Sequence, residues 1–349
     1  MARRASFGRW IVAVVLAATA WGTAGAEDYL SRPDVRRFAL DFAERNAWPS
    51  ADLFAILAKA RRQASVLRAM QTPAEAPRRS WQAYRSIFLT PQRIEAGLRF
   101  REANAATLAR ASNTYGIPQE IILAIIGVET VYGRNTGAYR VLDALATLAF
   151  DFPERGDYFR YELEQYLLHV REEGLDPLSV RGSYAGAIGI PQFMPGSYRR
   201  FAVDFDGDGH RDLRGSPTDA IGSVANFLRE HGWRPGEPIA ARAQPVGDAF
   251  TSLVDGGVKP ALRTGDLPAL GLVPVDPAPP DLQCAIIELA TPGQPSEYHL
   301  GFENFFVLTR YNRSSFYATA VLELAQAITD EARRREQVPA TSSGTSNTP

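Results

Sequence analysis

The chain has 349 residues, and 38 Lys plus Arg against 39 Asp plus Glu leave a formal charge of -1. This balance gives no support for nucleic-acid binding through a basic surface, and the single cysteine, Cys284, excludes an intrachain disulfide. Cys284 lies in an apolar run and is expected as a small core residue.

Residues 1–26 read as an export signal. Arg3, Arg4 and Arg9 form a basic start, Trp10 to Ala20 an apolar centre, and Ala24-Gly25-Ala26 a small-residue cleavage site. The apolar run is short for a membrane span, although retention as an N-terminal anchor is the alternative. No cysteine stands near the cleavage site for lipid attachment. An exported chain without disulfides points to a bacterial periplasm. Three arginines and no acids leave with the signal, taking the formal charge from -1 to -4. The remaining length, roughly 320 residues, can bury a large core and exceeds one small compact domain.

From Asp34 to about Met70 the apolar spacing is helical, interrupted near Trp48-Pro49-Ser50, where Ser50 suits a cap with Phe54 and Leu57 packing inward. Thr72 to Arg79 carries two prolines and two arginines and reads as an exposed connection. Thr90 and Pro91 open a helix running towards Tyr115. Then comes the apolar stretch from Ile121 to Arg134, a helix with Gly133 as its stop. Ile122, Ile125 and Glu129 fall on nearly the same side of it. An acid on a face built for burial has two readings. It pairs with an arginine, for instance Arg134, and holds the fold; or it stays unpaired, its pKa rises, and it carries a proton for acid catalysis.

Val141 to Phe150 and Tyr158 to His169 are two further helical segments. Composition changes at Gly182. The run to Ser197 is dense in glycine and small residues, either an ordinary loop or a backbone shaped to approach a ligand, and Ser183, Gln192 and Tyr198 are side chains suited to sugar hydroxyls. Asp204, Asp206 and Asp208 then occupy the first, third and fifth positions of a calcium-loop pattern, with Gly209 at the sixth and the His210 carbonyl at the seventh. Three acids this close repel one another without a cation, and oxygen ligands favour calcium. Gly215 stands where such a loop ends in glutamate, so Asp219 must close it, with Asp212 able to assist directly or through water. Ala220 to His231 is helical. Residues 234–280 are rich in Gly and Pro and read as an irregular or β-containing insertion. Cys284 to Leu289 and Phe305 to Arg310 read as strands, with His299 to Phe302 pairing beside them. Asn312 to Ser315 caps a last helix, Phe316 to Arg335, and the Ser/Thr/Pro-rich end from Glu336 is expected to be disordered.

Several segments together resemble one family, the periplasmic lytic murein transglycosylases of the B type. They are Ile126-Gly-Val-Glu-Thr130, Leu142-Asp-Ala-Leu-Ala-Thr-Leu148, Gly182-Ser-Tyr-Ala-Gly-Ala187, Gln192-Phe-Met-Pro195, Val203-Asp-Phe205 with the acidic loop, Asp219-Ala-Ile-Gly-Ser-Val-Ala-Asn226 and Arg310-Tyr-Asn312. Each is weak alone; the ordered set is specific. The resemblance implies a mainly α, α+β protein. A lysozyme-like core with an EF-hand-like calcium loop is joined by an added helical region and a small β region. Its divisions are a signal peptide at 1–26, helices wrapping the core at 27–110, the catalytic core at 111–233, the β-containing region at 234–310, a returning helix at 311–335 and the tail at 336–349.

It further implies non-hydrolytic cleavage of the β-1,4 bond between N-acetylmuramic acid and N-acetylglucosamine in peptidoglycan glycan strands, leaving 1,6-anhydromuramic ends. Glu129 looks like the single acid, then base. Ser183, Gln192, Tyr311, Asn312, Tyr317 and Tyr84 look like substrate-binding groups, and Asp204, Asp206, Asp208, His210 and Asp219 like ligands of a structural calcium. Phe227 stands where the family places a groove tyrosine, so one hydroxyl is missing. The loop is one residue longer before Asp219. A monomer without nucleic-acid or organic-cofactor partners is expected. The other readings are a lysozyme-like hydrolase and a non-catalytic peptidoglycan-binding protein.

Overall fold

The computed structural model describes residues 29–71 and 80–337. The export signal, the Pro-rich connection at 72–79 and all but the first two residues of the expected tail lie outside them.

The N-terminal helices are α1 (Pro33–Arg45), α2 (Ser50–Leu57), α3 (Ala64–Met70), α4 (Trp81–Phe88), α5 (Pro91–Ala103) and α6 (Ala105–Tyr115). Val35, Phe38, Ala39, Phe42 and Ala43 make the buried stripe of α1, the 3–4 spacing that a helix needs to bury one face. In α2 it is Leu53 and Leu57 that are buried, while Phe54 stays half-exposed and lies under the Arg36 guanidinium. Ser50 is the first residue of that helix, and Pro49 holds the cap position without a side-chain bond. Thr90 does cap α5, its hydroxyl accepting from Arg93 N. The single helix expected from Thr90 to Tyr115 is broken at Asn104, whose side-chain amide donates to the Phe100 carbonyl and competes with the helical ladder.

The central element is α7 (Gln119–Thr130), buried along most of its length and enclosed by α5, α6, α11 (Pro217–Glu230) and α13 (Ser315–Gln337). It ends at Thr130, three residues before the expected stop at Gly133. Val131 and Tyr132 take left-handed φ of 52° and 61°, a costly conformation for side chains of their size. Burial of the Tyr132 ring offsets that strain. It turns back between α5 and α7 into space that exists only because Gly97 and Gly127 lack side chains; a Cβ on either would meet the Tyr132 hydroxyl at 2.5 and 2.4 Å.

Two short strands, β1 (Tyr139–Arg140) and β2 (Arg181–Gly182), pair antiparallel through Tyr139 and Gly182, flanking α8 (Val141–Asp151) and α9 (Gly156–Glu172), which pack on each other. After α10 (Pro195–Phe201) and α11 come β3 (Ala240–Pro245), β4 (Leu262–Arg263), β5 (Leu272–Pro274), β6 (Gln283–Leu289) and β7 (Glu297–Gly301). They form an antiparallel sheet of order β4-β6-β7-β3-β5. Strand β6 is apolar on both faces for a reason: Ala285, Ile287 and Leu289 join the main core, whereas Cys284 and Ile286 join a second, smaller core with Phe250, Leu272 and Leu300. Period-two alternation gives each face its own core.

One expected strand is a helix. Phe305 to Arg310 falls in α12 (Glu303–Tyr311), so the β-containing region expected at 234–310 ends in helix. The run Phe-Phe-Val-Leu-Thr has strand composition, but Asn304, Phe305 and Leu308 are buried on a 3–4 spacing. The Asn304 side chain accepts from Arg234 N and donates to the carbonyls of Arg234 and Glu237, pinning the first turn. Tertiary burial overrides local preference here. Helix α13 then runs on to Gln337, two residues into the segment expected as tail. Among the described residues no helix is long and apolar enough to cross a membrane.

Candidate active site

Glu129 sits in the last turn of α7, half-buried. Burial pushes its carboxyl from the ordinary 4.5 up to about 7, against the opposing pull of one hydrogen bond from Tyr317. That bond, Tyr317 Oη to Glu129 Oε1 at 2.7 Å, is donated from 188 residues away. Arg134 is exposed and forms no ion pair among the described residues, so it is not the partner of this acid. The helix end is fixed by Thr130. Its hydroxyl donates to the Ile190 carbonyl at 2.7 Å and accepts from Gly133 N at 2.9 Å, tying the acid's helix to the glycine-rich loop.

That loop presents Ser183 and Gln192 with complementary spare capacity. The Ser183 oxygen accepts from Ala185 N and Ala187 N, leaving its O–H free to donate. Gln192, at a left-handed φ of 52°, spends its amide protons on the carbonyls of Thr136 and Gly189. Its Oε1 remains free to accept. One donor and one acceptor match the C=O and N–H of an acetamido group.

Tyr311 donates from its hydroxyl to the Pro191 carbonyl at 2.5 Å, and its ring lies parallel to that of Tyr317 at 6.3 Å and 12°. Phe227 is buried, its ring 4.8 Å from Tyr311 and 4.0 Å from His231; it completes an aromatic wall without a hydroxyl. Asn312 ends α12 and is exposed. Tyr84 packs with Trp81, Phe88 and Phe316, and Phe316 precedes Tyr317 in α13, which places it on the Tyr317 side.

The acidic loop lies behind this wall. Asp204, Asp206 and Asp219 bring carboxylate oxygens within 4.8 Å of one another. Asp204 accepts from Gly207 N and Gly209 N, a turn that the left-handed φ of 81° and 91° at those glycines permits. Buried Asp219 accepts from Phe205 N and Asp212 N, and burial raises its pKa. Asp208 is turned towards His210 N and stands outside that trio, and Asp212 turns to Arg214 N. An all-oxygen donor set around one point suits a hard divalent cation. The loop also braces the site, because Ile190 N donates to the Leu213 carbonyl and Tyr198 Oη bridges Arg211 O and Leu213 N.

With this geometry in place, comparison with known proteins is decisive. Residues 31–326 match the family model described as transglycosylase SLT domain. The chain belongs to that family. It is 41% identical over 309 residues to the membrane-bound lytic murein transglycosylase B of Escherichia coli (strain K12), covering 86% of this chain and 84% of the relative. Among solved structures it is similar to the catenated lytic transglycosylase SltB1 from Pseudomonas aeruginosa, with a TM-score of 0.82, 45% identity and coverage of 87% and 99% of the two chains. It is also similar to the Escherichia coli lytic transglycosylase Slt35 in complex with calcium, with a TM-score of 0.78, 41% identity and coverage of 89% and 96%. The helix-rich fold with a small sheet is the lysozyme-like fold of these transglycosylases.

Within this family member, sequence reasoning missed part of the groove. Gln192, Phe227, Tyr311 and Asn312 line a cleft of about 430 Å³ together with Arg155, Tyr158, Ser197 and Arg313. Arg155 lies 4.5 Å over the Tyr158 ring. Nothing in the local pattern at the start of α9 marks Arg155, which precedes the helix, or Tyr158 in its first turn, since surface Arg and Tyr there are ordinary. A second buried acid, Glu162, also went unseen. Burial raises its pKa, but it accepts from Gly196 N at 2.8 Å and serves the first turn of α10.

Proposed function

We propose that this protein is a peptidoglycan lytic transglycosylase in which Glu129 alone carries the proton transfers. The observation that carries the reading is a half-buried glutamate with a pKa of about 7, without a cationic partner among the described residues, on a helix tied through Thr130 to a glycine-rich loop that keeps a free donor and a free acceptor. Ordinary glycosidases place two carboxylates across the scissile bond. Here the other buried glutamate of the region, Glu162, is consumed by backbone.

Protonated Glu129 donates to the leaving glycosidic oxygen as general acid. Charge developing at the anomeric carbon is met by the substrate's own N-acetyl oxygen. Ser183 donates to, and the Gln192 carbonyl oxygen accepts from, the acetamido group and so orients it. Glu129, now ionised, takes the proton from the muramic 6-hydroxyl, which attacks the anomeric carbon and closes the 1,6-anhydro ring. The tethered nucleophile makes this step intramolecular, which favours it strongly over attack by water. Tyr311, Tyr317, Tyr84 and Phe227 supply apolar surface for the sugars, with Asn312 as a polar contact at the rim, and Arg155 and Arg313 lend that end of the groove positive charge.

Asp204, Asp206 and Asp219 are the residues that would hold calcium, with Asp208 and the His210 carbonyl completing the set. The ion would neutralise their mutual repulsion and stiffen the loop that braces Ile190. Export to the periplasm fits the murein substrate and the first 26 residues. The test is product analysis: sacculi digested with purified protein should yield anhydro-ended muropeptides by mass spectrometry. Hydrated reducing ends would instead make it a hydrolase, and no release would leave only binding.

A further inference from the structure

We propose that a basic pocket beside Ser183, separate from the cleft that holds Gln192 and Tyr311, binds the carboxylates of a murein peptide stem; the proposal rests on the peptidoglycan reading above. The pocket, of about 320 Å³, is lined by Arg61, Gln63, Tyr139, Arg140, Asp143 and Arg181. Three guanidiniums and one carboxylate give it a net positive charge in a chain whose acids outnumber its basic residues.

The pocket is built, not a chance meeting of surface side chains. Its floor is Asp143, buried in α8. Asp143 accepts from Arg140 Nε and Nη2, from Arg61 N at 2.9 Å and from Gln63 Nε2 at 3.2 Å. That carboxylate is therefore spent, and it holds three separate stretches of chain in register: the α2–α3 connection, β1 and α8. Arg140 Nη2 also donates to the Lys59 carbonyl. The charges above this floor are open. Arg61 and Arg181 are exposed, and among the described residues neither side chain meets a carboxylate. Arg181 spends one nitrogen on the Ala138 carbonyl. Two unneutralised forks over a fixed guanidinium are suited to carboxylates, which they can grip bidentately.

Position supplies the ligand. Arg181 and Gly182 form β2, and the next residue is Ser183. The facing segment runs from Thr136, whose carbonyl accepts from Gln192, to Arg140 in β1. The pocket thus lies two residues of extended chain, about 7 Å, from Ser183. A glycan backbone is uncharged, but every muramic residue carries an anionic peptide from its lactyl group. A stem leaving a sugar oriented by Ser183 reaches the pocket with its first two residues, which span about the same 7 Å.

The experiment compares two substrates: glycan strands bearing stems, and the same strands stripped of peptide by an amidase. In Arg61→Ala/Arg181→Ala, KM on stem-bearing strands should rise about tenfold with kcat unchanged, since each exposed charge contact is worth under about 1 kcal/mol and two together approach a decade. On stripped strands neither constant should move. The Arg61→Lys/Arg181→Lys variant should recover part of the lost affinity. Both side chains are exposed, and an unchanged melting temperature establishes that the variant is folded. An equal loss on both substrates, or no loss on either, overturns the proposal. Should the unaltered protein release no anhydro product from stem-bearing strands, the activity itself falls and the pocket's assignment with it.

Discussion

Two acids, half-buried Glu129 and buried Asp219, occupy the two sides of the glycine-rich loop, and they are partnered in different ways. Glu129 is given one hydrogen bond, from Tyr317, and an apolar setting that raises its pKa to about 7. Asp219 is given backbone N–H groups from Phe205, Asp206 and Asp212 and two further acids at close range. Burial raises both carboxyls above their ordinary values, but the first has no acid beside it among the described residues, whereas the second has backbone donors and neighbouring carboxylates whose repulsion a cation would relieve. The loop between them touches both, through Thr130 to Ile190 on one side and Ile190 to Leu213 on the other. On the proposed reading, proton chemistry and metal binding are separated in space and joined mechanically.

The comparison breaks hardest at Glu129. Glu129→Gln should lower turnover on sacculi by about 10²–10⁴-fold, the usual contribution of a general acid, while leaving strand binding in place. Retention of substantial lytic activity would remove Glu129 from the chemistry. Stability should move the other way. The folded carboxyl titrates above its ordinary value, so the native state is penalised as pH rises from about 4.5 to about 7, by up to about 3 kcal/mol. The Gln variant should therefore melt higher than the unaltered protein at pH 8 and show no such gain at pH 4. The rate of the unaltered enzyme should fall as pH rises through about 7, because the donating proton is lost there.

The acidic loop should respond to calcium and not to pH near 7. Chelation should lower the melting temperature, and saturation to 100 times the dissociation constant should restore about 2.7 kcal/mol. Asp219→Asn should abolish that response. Products should keep their anhydro ends throughout, since the ion stands outside the chemistry. A melting temperature indifferent to both chelator and calcium would refute the metal reading of Asp204, Asp206 and Asp219.

Much of this was legible in the chain because it is local. An acid on an apolar helical face, an Asp-x-Asp-x-Asp-Gly run and a Thr-Pro helix start each carry their physics within a few residues. What escaped depends on contacts across the fold. Helix α7 ends at Thr130 because the Tyr132 ring finds a slot beside Gly97 and Gly127, and no local rule foresees that Gly133 is bypassed. The strand-like run at 305–310 becomes helix because Asn304 is pinned by residues about seventy positions earlier. Arg155 and Tyr158 join the groove only once the start of α9 and the end of α12 line one cleft. The spare donor on Ser183 and spare acceptor on Gln192 follow from which of their atoms the loop itself consumes, which composition does not reveal.

A buried base tests whether burial alone, without a groove or a ligand, has consequences beyond stability. His169 is fully buried in α9, its ring 4.2 Å from Tyr198 and both nitrogens without partners among the described residues. Burial drives its pKa from 6.5 down to about 4. The unfolded chain then binds a proton that the folded one refuses, so stability falls as pH drops from about 6.5 towards 4. His169→Leu should remove this loss, about 2 kcal/mol at pH 5 relative to pH 8, measured by denaturant unfolding at both values. The pH–rate profile should not change. A shifted profile would show that titration beneath the acidic loop reaches the active site.

The smallest effect is the most discriminating, because it separates Tyr317 as wall from Tyr317 as hydrogen-bond donor. Its hydroxyl favours the ionised form of Glu129 and so partly opposes burial. Tyr317→Phe keeps the ring, parallel to that of Tyr311, and removes only the donor. One neutral hydrogen bond contributes about 0.5–1.5 kcal/mol, and 1.36 kcal/mol corresponds to one pKa unit. The falling limb of the rate profile should therefore shift to higher pH by up to about one unit, with the acid more often protonated at pH 7. An unmoved limb would mean that the hydroxyl does not reach the ionised acid during turnover. A downward shift would reverse the sign of the interaction, and with it the claim that Tyr317 tempers the proton affinity that the apolar wall imposes on Glu129.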